Sequence, residues 1–151
     1  MGVFFQTNQG MMLCGRNMRV VYKGANVEDK ITTTNRALDA HVFEEDHEVR
    51  FPIKGTNRIA VYNYVLDQWS IWDLHADTGN HVATAVVDNE YYRLNDIGVL
   101  YQQQSNFYYD KVSGVAKAYD FALTTGWINV GQLQQLGRVY RLLVLGDFNA
   151  F

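Results

Sequence analysis

The sequence is poor in the residues that build disulfides, metal clusters and membrane spans. Cys14 is the only cysteine among 151 residues, which excludes an intrachain disulfide and a cysteine-based zinc site, and a free thiol suits a reducing compartment. The uninterrupted apolar runs are a few residues long, whereas a helix needs roughly 18–20 apolar residues to cross a bilayer. We therefore expect neither a membrane anchor nor a secretory signal.

A surplus of positive charge is also missing. The chain has 13 Lys and Arg against 16 Asp and Glu, for a net charge of −3. Proteins that hold nucleic acid tightly neutralise phosphates with many Lys and Arg side chains. The charge balance argues against a protein that binds nucleic acid tightly and reads its sequence, and any contact with DNA would be passive.

Local signatures of nucleophilic catalysis and of nucleotide binding are absent. Ser70, Ser105 and Ser113 lack the Gly-x-Ser-x-Gly setting of an activated serine, and Cys14 has no partner histidine in a fixed local motif. The glycine-rich stretch at residues 131–137 lacks the Lys-Ser/Thr pair of a phosphate-binding loop. We expect no enzyme activity, no catalytic residue and no cofactor.

Two groups of potential metal ligands remain. Asp73, His75 and Asp77 offer oxygen and nitrogen ligands at alternate positions, but the Asp-Thr-Gly-Asn sequence from Asp77 is typical of a turn, and we favour an ordinary loop there. His41 and His47 flank an acidic stretch at a spacing that fits neither one helix face nor one strand face. We expect a solvated acidic loop and no metal site.

What the sequence does contain is typical of β-structure. Aromatic residues make up 14% of the chain and stand beside Val and Ile in short segments bounded by Asn, Asp and Gly. We predict strands at residues 4–7, 11–14, 18–22, 48–54, 58–65, 69–72, 81–87, 90–94, 99–103 and 138–146. The spacing of about ten residues between turns favours an all-β domain of antiparallel meander hairpins.

Two local features refine this prediction. At most one short helix is expected, near residues 35–43, where Ala37, Leu38 and His41 fall at helical spacing and Asn35 is a candidate N-cap. Pro52, the only proline, lies within a predicted strand. Because proline cannot donate a ladder hydrogen bond, we place that strand at a sheet edge.

A weak internal repeat suggests propeller-like blades. A strand, a Gly/Asn turn and a strand ending in tyrosine occur first near Tyr22 and again near Tyr101. A four-stranded blade needs about 40–50 residues, so the chain would hold about three blades, fewer than close a ring. We expect residues 1–151 to form a single β domain that is a fragment of a longer chain or is completed by neighbours.

Large aromatic side chains and two glycines are the candidate key positions. We expect buried or interface anchors at Trp69, Ile71, Trp72 and Trp127, and required turn positions at Gly98 and Gly126. The Gln-rich stretch at residues 102–104 suits either a subunit interface or a solvated loop.

Aromatic residues exposed on the surface would indicate a different function, the binding of carbohydrate. Trp72, Tyr108 and Tyr109 on one open groove would stack on sugars, which makes a carbohydrate-binding propeller or sandwich the alternative function. Burial of these rings would favour the structural interpretation.

Several short motifs, in order along the chain, resemble one protein family. They are Gly2-Val3-Phe4-Phe5, Gly10-Met11-Met12-Leu13, Tyr22-Lys23-Gly24-Ala25-Asn26-Val27-Glu28, Val49-Arg50-Phe51, Val61-Tyr62-Asn63-Tyr64, Gln68-Trp69-Ser70, and Thr125-Gly126-Trp127-Ile128 followed by Arg138-Val139 and Leu145-Gly146. This collinear set resembles the tail hub or nozzle proteins of short-tailed double-stranded DNA phages, also called packaged-DNA stabilisation or tail tubular proteins.

The resemblance implies a non-enzymatic virion protein of the phage tail, made in the cytoplasm of the bacterial host. It implies a homo-oligomeric ring, a hexamer in the family, that closes the DNA channel after packaging and conducts DNA at ejection. It also implies adaptor, fibre or needle proteins as partners. Because members of the family are several times longer, it implies that the chain is part of such a protein.

Overall fold

The computed structural model describes residues 2–74, 78–88, 90–103, 110–112 and 114–117. The strands are β1 (Val3–Thr7), β2 (Gly10–Cys14), β3 (Val20–Tyr22), β4 (His41–Phe43), β5 (Glu48–Pro52), β6 (Arg58–Asn63), β7 (Gln68–Asp73), β8 (His81–Val87), β9 (Glu90–Asn95), β10 (Leu100–Gln102), β11 (Asp110–Val112) and β12 (Val115–Lys117). The described part is all-β, as the sequence predicts, and it contains no α-helix.

Successive strands pair in antiparallel meanders. Strands β1–β2–β3 form a first sheet, β4–β5–β6–β7 a second sheet and β8–β9–β10 a third sheet, while β11 and β12 form a separate hairpin. Residues that tolerate a left-handed backbone make several of the turns: Asp67 between β6 and β7, Asp88 between β8 and β9, and Gly98 between β9 and β10 have φ values of 54°, 53° and 81°.

One face of the second sheet packs against the first sheet. Alternate residues of a strand point to opposite faces, so Val49, Phe51 and Ile53 share one face, as the alternation predicts. Phe4 of β1 packs edge-on against Phe51 and Tyr62, with ring centroids 5.4 and 5.1 Å away. This is the larger of the two buried apolar clusters that the described residues form.

The opposite face of the second sheet packs against the third sheet. Phe43, Ile59 and Val61 form a second buried cluster with Tyr91 of β9. The rings of Phe43 and Tyr91 stand 6.1 Å apart in an edge-on arrangement. The second sheet is thus covered on both faces, which explains why β5 and β6 are apolar or buried along nearly their whole length.

The expected helix near residues 35–43 is wrong. Ala37 forms an isolated antiparallel bridge with Ile53, and residues 41–43 form β4. The amide of Leu38 donates to the carbonyl of Pro52 at 2.8 Å. Backbone pairing with the edge of β5 opposite to β6 is therefore more favourable than the helix that the spacing of a few apolar residues predicts.

The edge position predicted for the strand of Pro52 is also wrong, because β5 lies between β4 and β6. Ile53 N donates to Arg58 O at 3.0 Å, so the backbone nitrogen of the preceding residue, Pro52, points away from β6. Strand β4 pairs with β5 only as far as Arg50. Proline is tolerated because it ends the strand where no partner needs its amide.

Candidate interaction surfaces

Two of the predicted anchors, Trp69 and Ile71, lie on β7 and pack against the first core. The ring of Trp69 contacts those of Phe51 and Tyr62, with centroids 5.5 and 5.0 Å away. Its indole Nε1 donates to the carbonyl oxygen of Lys23 at 2.7 Å. Trp69 therefore fastens the segment after β3 to the second sheet.

A charged group next to Trp69 strengthens the same junction. Lys23 Nζ donates to both carboxylate oxygens of Asp67, at 2.8 and 2.6 Å, and Tyr62 Oη donates to Asp67 at 2.6 Å. The hydrogen bonds from Lys23 and Tyr62 lower the pKa of Asp67. Burial, followed by the bond to Asp67, raises the pKa of Tyr62 to about 12.

Trp72, the third predicted anchor, packs against the second core beside a buried arginine. The guanidinium of Arg50 lies 3.8 Å from the ring centroid of Phe43 and 4.6 Å from that of Trp72. Arg50 also donates to Asp46, Glu48 and Gln103, at 2.8, 3.0 and 2.8 Å. Because Trp72 stacks within the protein on Arg50, it offers little support for the alternative of an open sugar-binding groove.

The other predicted positions divide between turns and undescribed residues. Gly98 lies in the β9–β10 turn at φ 81°. Trp127 and Gly126 lie outside the described residues, as do Tyr108 and Tyr109 of the sugar-binding alternative.

Of the three candidate metal ligands Asp73, His75 and Asp77, the structure describes only Asp73. Asp73 forms an ion pair with Arg58 at 2.5 Å, and His75 and Asp77 lie outside the described residues. Among the described residues, no group of three or more His, Cys, Asp and Glu side chains is placed to hold a metal ion.

A polar cluster that the sequence analysis did not identify joins the second and third sheets. Thr84 Oγ1 donates to the carboxylate of Asp39, at 2.7 and 2.6 Å from its two oxygens, and lies 2.9 Å from His41 Nε2. No local signal reveals it, since 43 residues separate His41 from Thr84. The expected solvated loop is therefore wrong for His41, which is half-buried.

This cluster resembles a hydroxyl–imidazole–carboxylate triad only in composition. In a catalytic triad the carboxylate orients the imidazole from the nitrogen far from the nucleophile. Here Asp39 binds the hydroxyl itself and lies 3.3 Å from His41 Nε2, the same nitrogen that meets Thr84. The arrangement holds the hydroxyl proton toward the carboxylate and does not activate it through histidine, so it acts as a link between sheets.

A buried histidine lies elsewhere on the third sheet. His81 on β8 is 1% exposed, and neither ring nitrogen has a hydrogen-bond partner among the residues that the structure describes. Burial, and secondarily the charge of Arg93, lowers the pKa of His81 to about 4. The imidazole is therefore neutral at pH 7 and acts as a packing group.

Several exposed apolar side chains, among them Val3, Phe5, Val87 and Leu100, lie on the faces of the first and third sheets that point away from the second sheet. The face of the first sheet that points away from the second sheet carries six residues in register: Val3, Phe5, Met12, Cys14, Val20 and Tyr22. The corresponding face of the third sheet carries Ala83, Ala85, Val87, Glu90, Tyr92, Leu94, Leu100 and Gln102. We call these the first outer face and the third outer face.

The pocket found among the described residues gives little support for a catalytic or cofactor site. One shallow pocket of about 220 Å³ lies between the β1–β2 turn and residues 28–33, and Glu28 is its one ionisable lining group. A catalytic or cofactor site normally combines an apolar cavity with several convergent polar groups. The outer faces are therefore the better candidates for function.

Comparisons with protein-family models, with curated proteins and with solved structures found no significant match to this chain. The residues that the structure describes include no helix of the length and apolarity needed to traverse a membrane.

Proposed function

We propose that the chain is a structural component of the tail of a short-tailed double-stranded DNA phage, part of the hub or nozzle ring through which DNA leaves the particle. One structural observation supports the proposal above the others. The second sheet is buried on both faces, while the first and third sheets keep exposed apolar side chains on the faces that point away from it. Such a stack is suited to packing against further protein.

The three sheets also support a propeller-like arrangement. Each sheet is an antiparallel meander, and neighbours along the chain pack face to face. In a propeller, successive blades pack in this way around an axis. On this proposal the three sheets are consecutive blades or parts of blades, and further protein supplies the others.

The charge of the chain suits a conduit for DNA. With a net charge of −3, the protein repels phosphate weakly and offers few basic groups that would retain it. DNA contact is then passive, and the work of the protein is mechanical, without a catalytic residue, metal or cofactor. The partners are other copies of the chain and the adaptor, fibre or needle proteins of the tail, in a virion assembled in the bacterial cytoplasm.

An amber codon at Trp69, in the genome that encodes the chain, tests this function. In a host without a suppressor tRNA we expect filled heads that lose their DNA, and few infectious particles. A host whose suppressor inserts tryptophan is the matched control and restores both. Undiminished infectivity without the suppressor, with the chain absent from purified particles by mass spectrometry, would overturn the proposal.

A further inference from the structure

We propose that the pocket between the β1–β2 turn and residues 28–33 binds one neutral pyranose ring, either a free sugar or the end of a glycan. The site is separate from the groove of Trp72, Tyr108 and Tyr109 that the carbohydrate-binding alternative requires. The inference goes beyond the proposed function and does not rest on it.

One wall of the pocket, residues 28–33, is held in place before any ligand binds. Gln6 Nε2 donates to the carbonyl oxygen of Thr32 at 2.8 Å, and Gln6 Oε1 accepts from the amide of Ala37 at 3.1 Å. Ile31 is 2% exposed and anchors the same segment in the first core. A preformed pocket binds a small ligand without the cost of ordering its loops.

The opposite wall is the β1–β2 turn, which is shaped by its own hydrogen bonds. Thr7 Oγ1 donates to the carbonyl oxygen of Gly10 at 3.2 Å and accepts from the amide of Gln9 at 3.1 Å. The side chains of Asn8 and Gln9 are exposed at the tip of this turn and line the pocket. Their amide groups are therefore available to a ligand.

The groups that line the pocket suit the hydroxyls of a neutral sugar. Beside the amides of Asn8 and Gln9, the lining includes the hydroxyl of Thr33 and the carboxylate of Glu28. Amides and hydroxyls both donate and accept hydrogen bonds, and a carboxylate accepts from two donors at once. Neighbouring hydroxyls on a sugar ring need this mixture, while Ile31 offers an apolar contact to the C–H groups of the ring.

An aromatic ring flanks the same pocket. Tyr22 is 39% exposed, and its ring lies so close to Gly10 that an added Cβ atom there would come within 3.0 Å of it. The hydroxyl of Tyr22 donates a hydrogen bond to the carboxylate of Glu28. Tyr22 therefore orients the acceptor and adds an apolar surface beside it.

Other classes of ligand fit this lining less well. Among the described residues no basic side chain lines the pocket, as a phosphate or another anion would require. Glu28 is the one carboxylate in the lining, whereas Ca²⁺ sites usually provide several. The volume of about 220 Å³ is below the roughly 300–1,000 Å³ of pockets for drug-sized ligands, so the occupant is about one ring in size.

Saturation-transfer NMR on the full chain tests the site. The probes are glucose, galactose, mannose and rhamnose, each as the free sugar and as its methyl glycoside. We expect at least one of them to bind saturably, with a dissociation constant on the order of 1–10 mM for a ring of about twelve non-hydrogen atoms. Glucuronate should bind more weakly than glucose, because Glu28 repels its charge.

The two forms of each probe distinguish the sources of the ring. A methyl glycoside has its anomeric oxygen blocked, as in a glycan. A methyl glycoside that binds assigns the pocket to a glycan end, and binding of the free sugars alone assigns it to a monosaccharide.

Variants identify the pocket as the binding site. Glu28→Ala and Asn8→Ala each remove polar groups from the lining and should weaken binding by about tenfold, the effect of losing one or two hydrogen bonds. The matched control is Asp29→Ala, because Asp29 is the adjacent exposed carboxylate and does not line the pocket. Near-ultraviolet circular dichroism of each variant verifies that it folds.

Failure of every neutral probe to bind at concentrations up to about 100 mM would overturn the proposal. So would unchanged binding by both Glu28→Ala and Asn8→Ala, an equal loss in Asp29→Ala, or tighter binding of glucuronate than of any neutral probe. The amber test is independent of these results. A chain that binds a sugar here but is dispensable for infectivity contradicts the tail function alone, and a chain that is required in the particle but binds no sugar contradicts the pocket assignment alone.

Discussion

The indole nitrogen of Trp69 donates a hydrogen bond to the carbonyl oxygen of Lys23, 46 residues earlier in the chain, at 2.7 Å. This bond crosses from β7 to the segment that leaves the first sheet. It places a polar link at the edge of an otherwise aromatic core of Phe4, Phe51 and Tyr62. The half-buried side chain of Trp69 therefore contributes both ring packing and a directional hydrogen bond to the junction of the first and second sheets.

Replacing Trp69 should separate these two contributions. We expect Trp69→Ala to lower the free energy of unfolding by about 3 kcal/mol, because it removes three ring contacts and the hydrogen bond. Trp69→Phe keeps a ring and should lose about 1 kcal/mol, the cost of a missing hydrogen bond. Urea unfolding followed by circular dichroism measures both, and equal losses for the two variants would show that the ring contacts contribute nothing.

The buried cation at Arg50 should be among the most sensitive positions of the second sheet. Its guanidinium is stacked between Phe43 and Trp72 and paired with Asp46 and Glu48. We expect Arg50→Ala to cost about 3 kcal/mol, because it removes a buried side chain that stacks on two rings and donates hydrogen bonds to Glu48 and Gln103. Urea unfolding of the variant measures the loss.

Arg58 provides the matched control for that substitution. It pairs with Asp73 at 2.5 Å, but both side chains are well exposed. An exposed ion pair contributes about 0–1 kcal/mol, so Arg58→Ala should unfold at nearly the wild-type urea concentration. Similar losses at Arg50 and Arg58 would contradict the argument that burial and stacking decide the effect.

The sequence predicts strands β1 to β3 and β5 to β10 because each of these has a local signal, whereas β4, β11 and β12 are not predicted. Period-two alternation put Val49, Phe51 and Ile53 on one face, and Gly98 marked a turn with positive φ. Short strands such as β4 carry no comparable signal. Residues His41–Phe43 form a strand because they pair with the edge of β5. No residue near them in the sequence disfavours a helix, so local patterns alone predict the wrong element.

The surfaces were harder to predict than the strands. Residue type alone predicts Trp69 and Trp72 as anchors, but the hydrogen-bond partners of Arg50 and the bond from Thr84 to Asp39 depend on contacts between sheets. Gln103 illustrates the limit: a Gln-rich stretch suited an interface or a solvated loop equally, and the structure shows Gln103 bound to Arg50 across two sheets. Such pairs join residues that the chain separates by dozens of positions.

The neutral imidazole of His81 should make the protein sensitive to acid. The pKa of His81 is about 4 in the folded protein against 6.5 for an ordinary histidine, so the unfolded chain binds the extra proton first. The part of the folding free energy that depends on neutral His81 is fully present well above pH 6.5. It is lost as the pH falls from about 6.5 to about 4, and it changes no further at lower pH. The full loss corresponds to about 3 kcal/mol.

The variant His81→Phe should remove this part of the pH dependence. The urea midpoint, measured at intervals from pH 7.5 to pH 4, would then fall less steeply for the variant than for the wild type. The control is His47→Asn, because His47 is exposed and has a φ of 58°, which asparagine tolerates. If His81→Phe keeps the full acid sensitivity, other groups cause it.

Two glycines in left-handed conformations should respond differently to an added methyl group. Gly98 has a φ of 81° and nothing within 4 Å of the position of a Cβ atom, so Gly98→Ala should cost only backbone strain, about 1–2 kcal/mol. Gly79 has a φ of 68°, and a Cβ there would lie 2.6 Å from Asp96 Oδ1. That carboxylate accepts from the amide of Asn80, so it cannot move away without losing a bond. We therefore expect Gly79→Ala to destabilise the chain more than Gly98→Ala in thermal unfolding, and the reverse order would show that steric crowding at Gly79 is relieved by movement of the loop.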